Sequence, residues 1–250
     1  MFFLYILKET GDLETMKTEL VKFLEMTGRY SDEVMEKLMG YMHEIISWNE
    51  KVNLTNLTEE DEFIEKHYID SLLLWNSESF KKADKIIDVG TGGGFPGVPL
   101  AILYPEKEFV LLDSLKKRLN IIDSLTDELG INNVITFHGR AEDAAKQKDM
   151  REAFDLCVSR AVANLTSLSE LCIPFVKTGG YFVAYKGPGA YDEAKEAENA
   201  INMLGGKLES ITVPEGQKES EHTLITILKT AKTPEKYPRK AGDPLKKPLK

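Results

Sequence analysis

Hydrophobic positions along the chain follow two regimes. Before Asp84 they recur at helical spacing; after it, short continuous apolar runs alternate with helical periods. The first regime predicts three helices. Leu13, Met16, Leu20, Phe23 and Leu24 mark one side of a helix over 13–29, broken at Arg29-Tyr30-Ser31. Ser31 is placed to cap a second helix, with Asp32 and Glu33 in its acidic first turn and Val34, Leu38, Tyr41, Ile45 and Trp48 as a buried stripe. After the polar stretch Trp48–Thr58, Thr58 with Asp61 reads as a capping box. The helix behind it has Phe63, Ile64, Tyr68, Leu72 and Trp75 inside. His67 and Asp70 are neighbours on that helix. They read either as a functional pair near a substrate or as a hydrogen-bonded pair docking the helices on the core; docking is favoured.

The second regime predicts strands over 85–89, 108–112, 133–137, 154–159, 180–186, 208–213 and 223–228. Helices are expected over 97–104, 164–175 and 191–204, with another carrying Leu115, Leu119, Ile122, Leu125 and Leu129 inside and ending at Gly130. No helix separates the last two strands, so that pair should be antiparallel. The expected architecture is α/β: a Rossmann-like, seven-stranded, mostly parallel sheet with an N-terminal helical cap. Three parts are expected, a cap over 13–83, a core over 84–230 and a basic, proline-rich tail over 231–250.

The candidate chemistry gathers at Lys85–Gly97, KIIDVGTGGGFPG: a buried strand, a glycine turn and a helix mouth. Gly92 to Gly97 fits G-x-G-x-x-G, a dinucleotide fingerprint. Asp88 to Gly94 fits D-x-G-x-G-x-G in better register with the strand end. That pattern resembles motif I of methyltransferases that bind S-adenosylmethionine. Ligands of open parallel sheets bind at the carboxyl ends of the strands. Gly90 and Gly92 stand at the first tip, Asp113 at the second, Ala141 and Glu142 at the third, Arg160 at the fourth. Asp113 is placed to accept from two ribose hydroxyls, which suits NAD and S-adenosylmethionine alike.

Composition narrows the class. The net charge is −9, but Lys229–Lys250 carries eight basic and two acidic residues, so a basic tail follows an acidic body. That distribution suits local phosphate contact more than a generally cationic surface. Two cysteines, Cys157 and Cys172, show no metal or disulfide spacing, and no metal is expected. The N-terminal MFFLYILK is too short to span a bilayer and a poor signal peptide. A cytoplasmic protein with no membrane contact, acting as a monomer, is expected.

The fourth tip is informative by what it lacks. It has no Asn/Asp-Pro-Pro-aromatic run for exocyclic amines, and neither cysteine is well placed to attack a pyrimidine carbon. A purine N7 needs neither, because its lone pair attacks without prior loss of a proton. Catalysis then reduces to alignment and electrostatics, and no general base is assigned.

Read together, NEKVNLTNLT, KHYIDSLLL, IIDVGTGGGFPGVPLAI, LLDSLKKR, GRAED, SRAVA, YKG and YPRKAGDPLKKPL resemble the glucose-inhibited division protein B family. The likeness runs from about Ser31 to Leu249. It implies methyl transfer from S-adenosylmethionine to N7 of a guanine, guanine-527, in 16S ribosomal RNA of the small subunit. By position it assigns cofactor contacts to Gly90, Phe95, Ala141, Glu142 and Arg160, with Phe95 leaning on the cofactor rather than filling the core. Gly92 and Asp113 are added from the strand tips. In the tail, Arg239, Lys240, Lys246 and Lys247 are candidates for phosphate contact, with Tyr237 available for stacking. A small-molecule methyltransferase, an NAD-dependent oxidoreductase and a non-catalytic ribosome-binding factor are the alternatives.

Overall fold

The structure is a computed structural model describing residues 13–49, 51–55, 57, 59–214 and 223–249. Seven strands form one sheet: β1 (Lys85–Val89), β2 (Glu108–Asp113), β3 (Val134–His138), β4 (Phe154–Arg160), β5 (Val176–Lys186), β6 (Gly206–Thr212) and β7 (Thr223–Lys229). Their spatial order is β3-β2-β1-β4-β5-β7-β6. β1 to β5 are parallel, and β7 lies antiparallel between β5 and β6. Strand order reverses at β1 and β4, which opens a crevice at their carboxyl ends.

Alternation along the strands divides the core between two faces. Ile86, Phe109, Leu111, Leu156, Val158 and Val183 face one way, under α6 (Gly97–Leu103) and α7 (Lys116–Glu128). The N-terminal helices α1 (Leu13–Thr27) and α2 (Asp32–Asn49) bury Leu20, Leu24, Leu38, Tyr41 and Ile45 in that same cluster. Ile87, Val89, Val110, Cys157 and Phe182 face the other way, under α9 (Leu165–Cys172) and α10 (Ala190–Met203).

Ser31 accepts from the Val34 N–H at 3.1 Å, as its capping position requires. The next helix departs from expectation. It starts at Glu60, and its flanking residue Glu59 makes no side-chain cap. Thr58 lies outside the described residues, and α1 includes Leu13 and Met16 as expected. The helix also changes pitch: α3 (Glu60–Phe63) runs into a π-helical stretch over Ile64–Ile69 and then α4 (Asp70–Leu72), followed by α5 (Glu78–Lys81). Leu115, expected inside α7, precedes that helix and is exposed, because the apolar period was carried one turn too far back.

The tail is not a loose end. Tyr237 is buried in the core on the α9 face, so it is not available for base stacking. The Arg151 guanidinium donates to the Tyr237 and Thr233 carbonyls at 2.9 and 2.8 Å. Lys229, buried at the end of β7, donates to the Ile173 carbonyl at 3.1 Å and pairs with Glu152 at 3.2 Å. Burial pulls its amine down to about 8, against the pull of Glu152 in the other direction. One short helix, α11 (Asp243–Lys246), interrupts the otherwise irregular path.

Candidate active site

The turn after β1 is held from beneath by Asp88. Its Oδ2 accepts from the Thr91 hydroxyl at 2.7 Å and the Gly97 N–H at 3.0 Å. Its Oδ1 is buried with no hydrogen-bond partner among the described residues. Burial raises the carboxyl to about 6, against the lowering effect of those two donors and of Arg160. A buried acceptor left open at a strand tip asks for a ligand group, since such an atom is costly to strand. Gly90 has φ +77°, and a Cβ there would meet Val162 Cγ2 at 2.5 Å, so both backbone and space exclude a side chain. Val162 belongs to the bend after β4, where Ala161 holds φ +57°.

Asp113 is buried at the second tip. Its Oδ2 accepts from the Gly92 N–H at 3.0 Å and its Oδ1 from the Leu115 N–H at 2.8 Å. The carboxylate thus ties the first tip to the second, and each oxygen keeps a lone pair for a further donor. Ala141 and Glu142 open α8 (Ala141–Ala144) at the third tip, with Glu142 only 5% exposed. Its Oε1 accepts from the Gly242 N–H of the tail at 2.7 Å.

Arg160 draws the fourth tip and the cap together. Its Nη1 donates to Asp70 Oδ2 at 2.6 Å and to the Lys66 carbonyl at 2.9 Å, and its Nη2 reaches His67 Nδ1 at 2.8 Å. Guanidinium only donates, so Nδ1 accepts and the proton sits on Nε2, which lies 2.6 Å from the Thr55 hydroxyl. Burial, then Arg160, push the imidazole down to about 3, so it is neutral near pH 7. Its ring stacks on Phe95 at 4.1 Å and 6°. The pair His67–Asp70 therefore docks the cap, and Arg160 is the third partner that sequence alone did not supply. The π-helical pitch presents Lys66, His67 and Asp70 to one guanidinium, and nothing in the residue pattern signals it.

Phe95 departs from its expected role. Its ring is 5% exposed and packs edge-on against Tyr41 and Phe63 in the cap core, so the side chain fills the core. Arg239 also departs. Its Nε and Nη2 donate to Glu170, at 2.9 Å to Oε1 and 2.6 Å to Oε2, and Glu170 is fully buried. Arg239 is thus spent on holding the tail, whereas Lys240, Lys246 and Lys247 are exposed. A signal was present: a Glu on the apolar face of α9 demands a cation.

A cavity of about 430 Å³ opens beside Arg160, lined also by Lys66, Asp70, Tyr185, Lys186 and Leu224. It lies over the fourth and fifth tips, on the opposite side of the crevice from Asp113 and Glu142.

A family model described as rRNA small subunit methyltransferase G matches residues 34–224. The chain belongs to this family. A protein named ribosomal RNA small subunit methyltransferase G from Clostridium novyi (strain NT) is 52% identical over 221 residues, 88% of this chain and 91% of that one. One of the same name from Clostridium tetani (strain Massachusetts / E88) is 51% identical over 222 residues, 88% and 93% of the two chains. Among solved structures, the S-adenosylmethionine-dependent methyltransferase SibL in its apo form aligns with a TM-score of 0.55 at 14% identity, covering 88% of this chain and 75% of that one. The O-methyltransferase TomG from Streptomyces achromogenes, in complex with SAM, gives 0.51 at 15% identity, covering 89% and 100%. These two show the shared fold.

Proposed function

We propose that this protein transfers a methyl group from S-adenosylmethionine to N7 of a guanine in 16S ribosomal RNA, guanine-527 by family likeness, within the small ribosomal subunit. The donor, when bound, supplies an electrophilic methyl on a sulfonium. The residues present fit it: Asp88 offers a buried acceptor with no partner among the described residues, Gly90 keeps bare backbone at the first tip, where φ and Val162 exclude a side chain, and Asp113 has lone pairs for ribose hydroxyls. Gly92 lends its N–H to hold Asp113, Phe95 supports the turn from the cap side, and Ala141 and Glu142 face the adenine end. Arg160 fixes the fourth tip.

The observation that carries the reading is the character of that fourth tip. Ser159 donates its hydroxyl to the Val89 carbonyl at 2.7 Å. Cys157 is fully buried within β4 and its thiol is pushed well up by burial, so no thiolate is at hand. His67 is held as an acceptor by Arg160. None of these groups is set to deprotonate or attack a substrate, which suits a ring nitrogen with a free lone pair. The cavity beside Arg160 takes the base, and exposed Lys240, Lys246 and Lys247 meet phosphates. The protein acts as a monomer in the cytoplasm.

Incubating the protein with tritiated S-adenosylmethionine and small subunits should label 16S RNA, and nuclease digestion should recover the label as 7-methylguanosine. Absence of label in both subunits and naked RNA would overturn the proposal.

A further inference from the structure

Glu142 stands in two places at once. Chain order puts it at the third strand tip, beside the proposed adenine end, while its carboxylate is held from behind by the C-terminal tail, 100 residues later in the sequence. Several anchors hold the tail where it reaches Glu142. Arg239 grips fully buried Glu170 on α9, the Ser167 hydroxyl donates to the Pro244 carbonyl at 2.8 Å, and Tyr237 is buried against the same face. Gly242, which donates to Glu142, has φ +86°, a conformation that sets its N–H and that other residues adopt poorly.

We propose that the docked tail is a positioning element of the donor site: the Gly242 N–H fixes the Glu142 carboxylate, so tail docking and cofactor binding are energetically coupled. The inference rests on the proposed reading that Glu142 faces the donor. Coupling of this kind is reciprocal. An undocked tail leaves Glu142 free to turn away from the pocket and weakens cofactor binding. A bound cofactor, by holding Glu142, keeps the tail down. The exposed Lys240, Lys246 and Lys247 flank the contact, so RNA engaging them acts on the same equilibrium.

Two measurements test this on the full chain with S-adenosylhomocysteine as probe. The first needs no substitution. Trypsin cleavage after exposed Lys240 is timed with and without saturating probe, in wild type and in Glu142→Ala. The expected result is about tenfold slowing by the probe in wild type, within the usual range of coupling between sites, and no slowing in Glu142→Ala. Equal rates in wild type, or equal protection in both proteins, would overturn the proposal. The second is calorimetry on the Glu170→Gln/Arg239→Gln double variant, which removes both charges of the anchor without stranding either. The tail should be cleaved faster and the dissociation constant for the probe should rise several-fold. Faster cleavage with unchanged affinity would defeat the coupling. If the double variant does not fold, the protection experiment decides alone. If wild type binds no probe at all, the donor-site reading itself has failed, and the coupling with it.

Discussion

Gly90 combines two constraints that can be separated. Gly90→Ala places a Cβ against Val162 and forces an alanine to φ +77°. We expect a loss of about 1–3 kcal/mol in urea unfolding and a clear loss of S-adenosylhomocysteine affinity. Adding Val162→Ala should restore the packing share and leave the backbone share. Full recovery in the double variant would mean the positive φ costs nothing. Asp88 makes a pH prediction. Its carboxyl is raised by burial to about 6, above its unfolded value, so between pH 4 and 6 the folded state binds more protons than the unfolded one. Stability from this group is therefore present at low pH and lost as pH rises through about 6. Asp88→Asn keeps an acceptor for Thr91 and Gly97 but carries no charge. It should be more stable than wild type at pH 8, on the order of 2–3 kcal/mol at most, with the gain shrinking toward pH 5. A gain independent of pH would refute the assignment. His67 works in the opposite sense: its folded value near 3 lies below the unfolded one, so its contribution is lost as pH falls below about 6.5. The two slopes partly cancel in wild type, which is why the variant is the informative protein.

Among the elements, the joint between β4 and the π-helical stretch depends on one planar cation with several donors. Arg160→Lys offers a single ammonium where three acceptors now meet two guanidinium nitrogens. We expect a fall in melting temperature and loss of methyl transfer, with hydrogen exchange rising first across 60–72. Unchanged exchange there would show that the cap is held by its apolar core alone. The elements themselves were largely legible. β1, the seven strands and the antiparallel last pair follow from apolar runs, glycine turns and a missing helix between the last strands, whereas the spatial order of the strands comes from the structure. The π pitch was not, because hydrophobic period over so short a stretch does not resolve 3.6 from a wider turn. Phe95 differs for another reason: the family likeness assigns it by position, and nothing local shows that Tyr41 and Phe63, distant in sequence, close over its ring.

At the scale of the molecule, the tail divides into residues that hold it and residues that face solvent. Positive charge alone does not distinguish them: Glu170 on the apolar face of α9 signals that a cation is needed, and only the packed fold shows that it is Arg239. The two classes predict opposite results. Arg239→Ala strands a buried carboxylate and should cost about 3–5 kcal/mol in unfolding experiments. Lys246→Ala with Lys247→Ala should leave the melting temperature unchanged and weaken RNA binding, with the log-log salt slope reduced by roughly 1–2. A melting shift in the lysine variant, or none in the arginine variant, would reverse that division.

The placement of β7 between β5 and β6 has a consequence for biosynthesis. β6 leaves the ribosome first, yet its one partner strand among the described residues emerges later, so β6 must wait beside α10 while the interior strand is still being made. A message truncated before Thr223 would not yield a smaller version of the protein. It would yield a chain with β5 unpaired along one side and β6 unpaired altogether, the kind of open strand that recruits other chains.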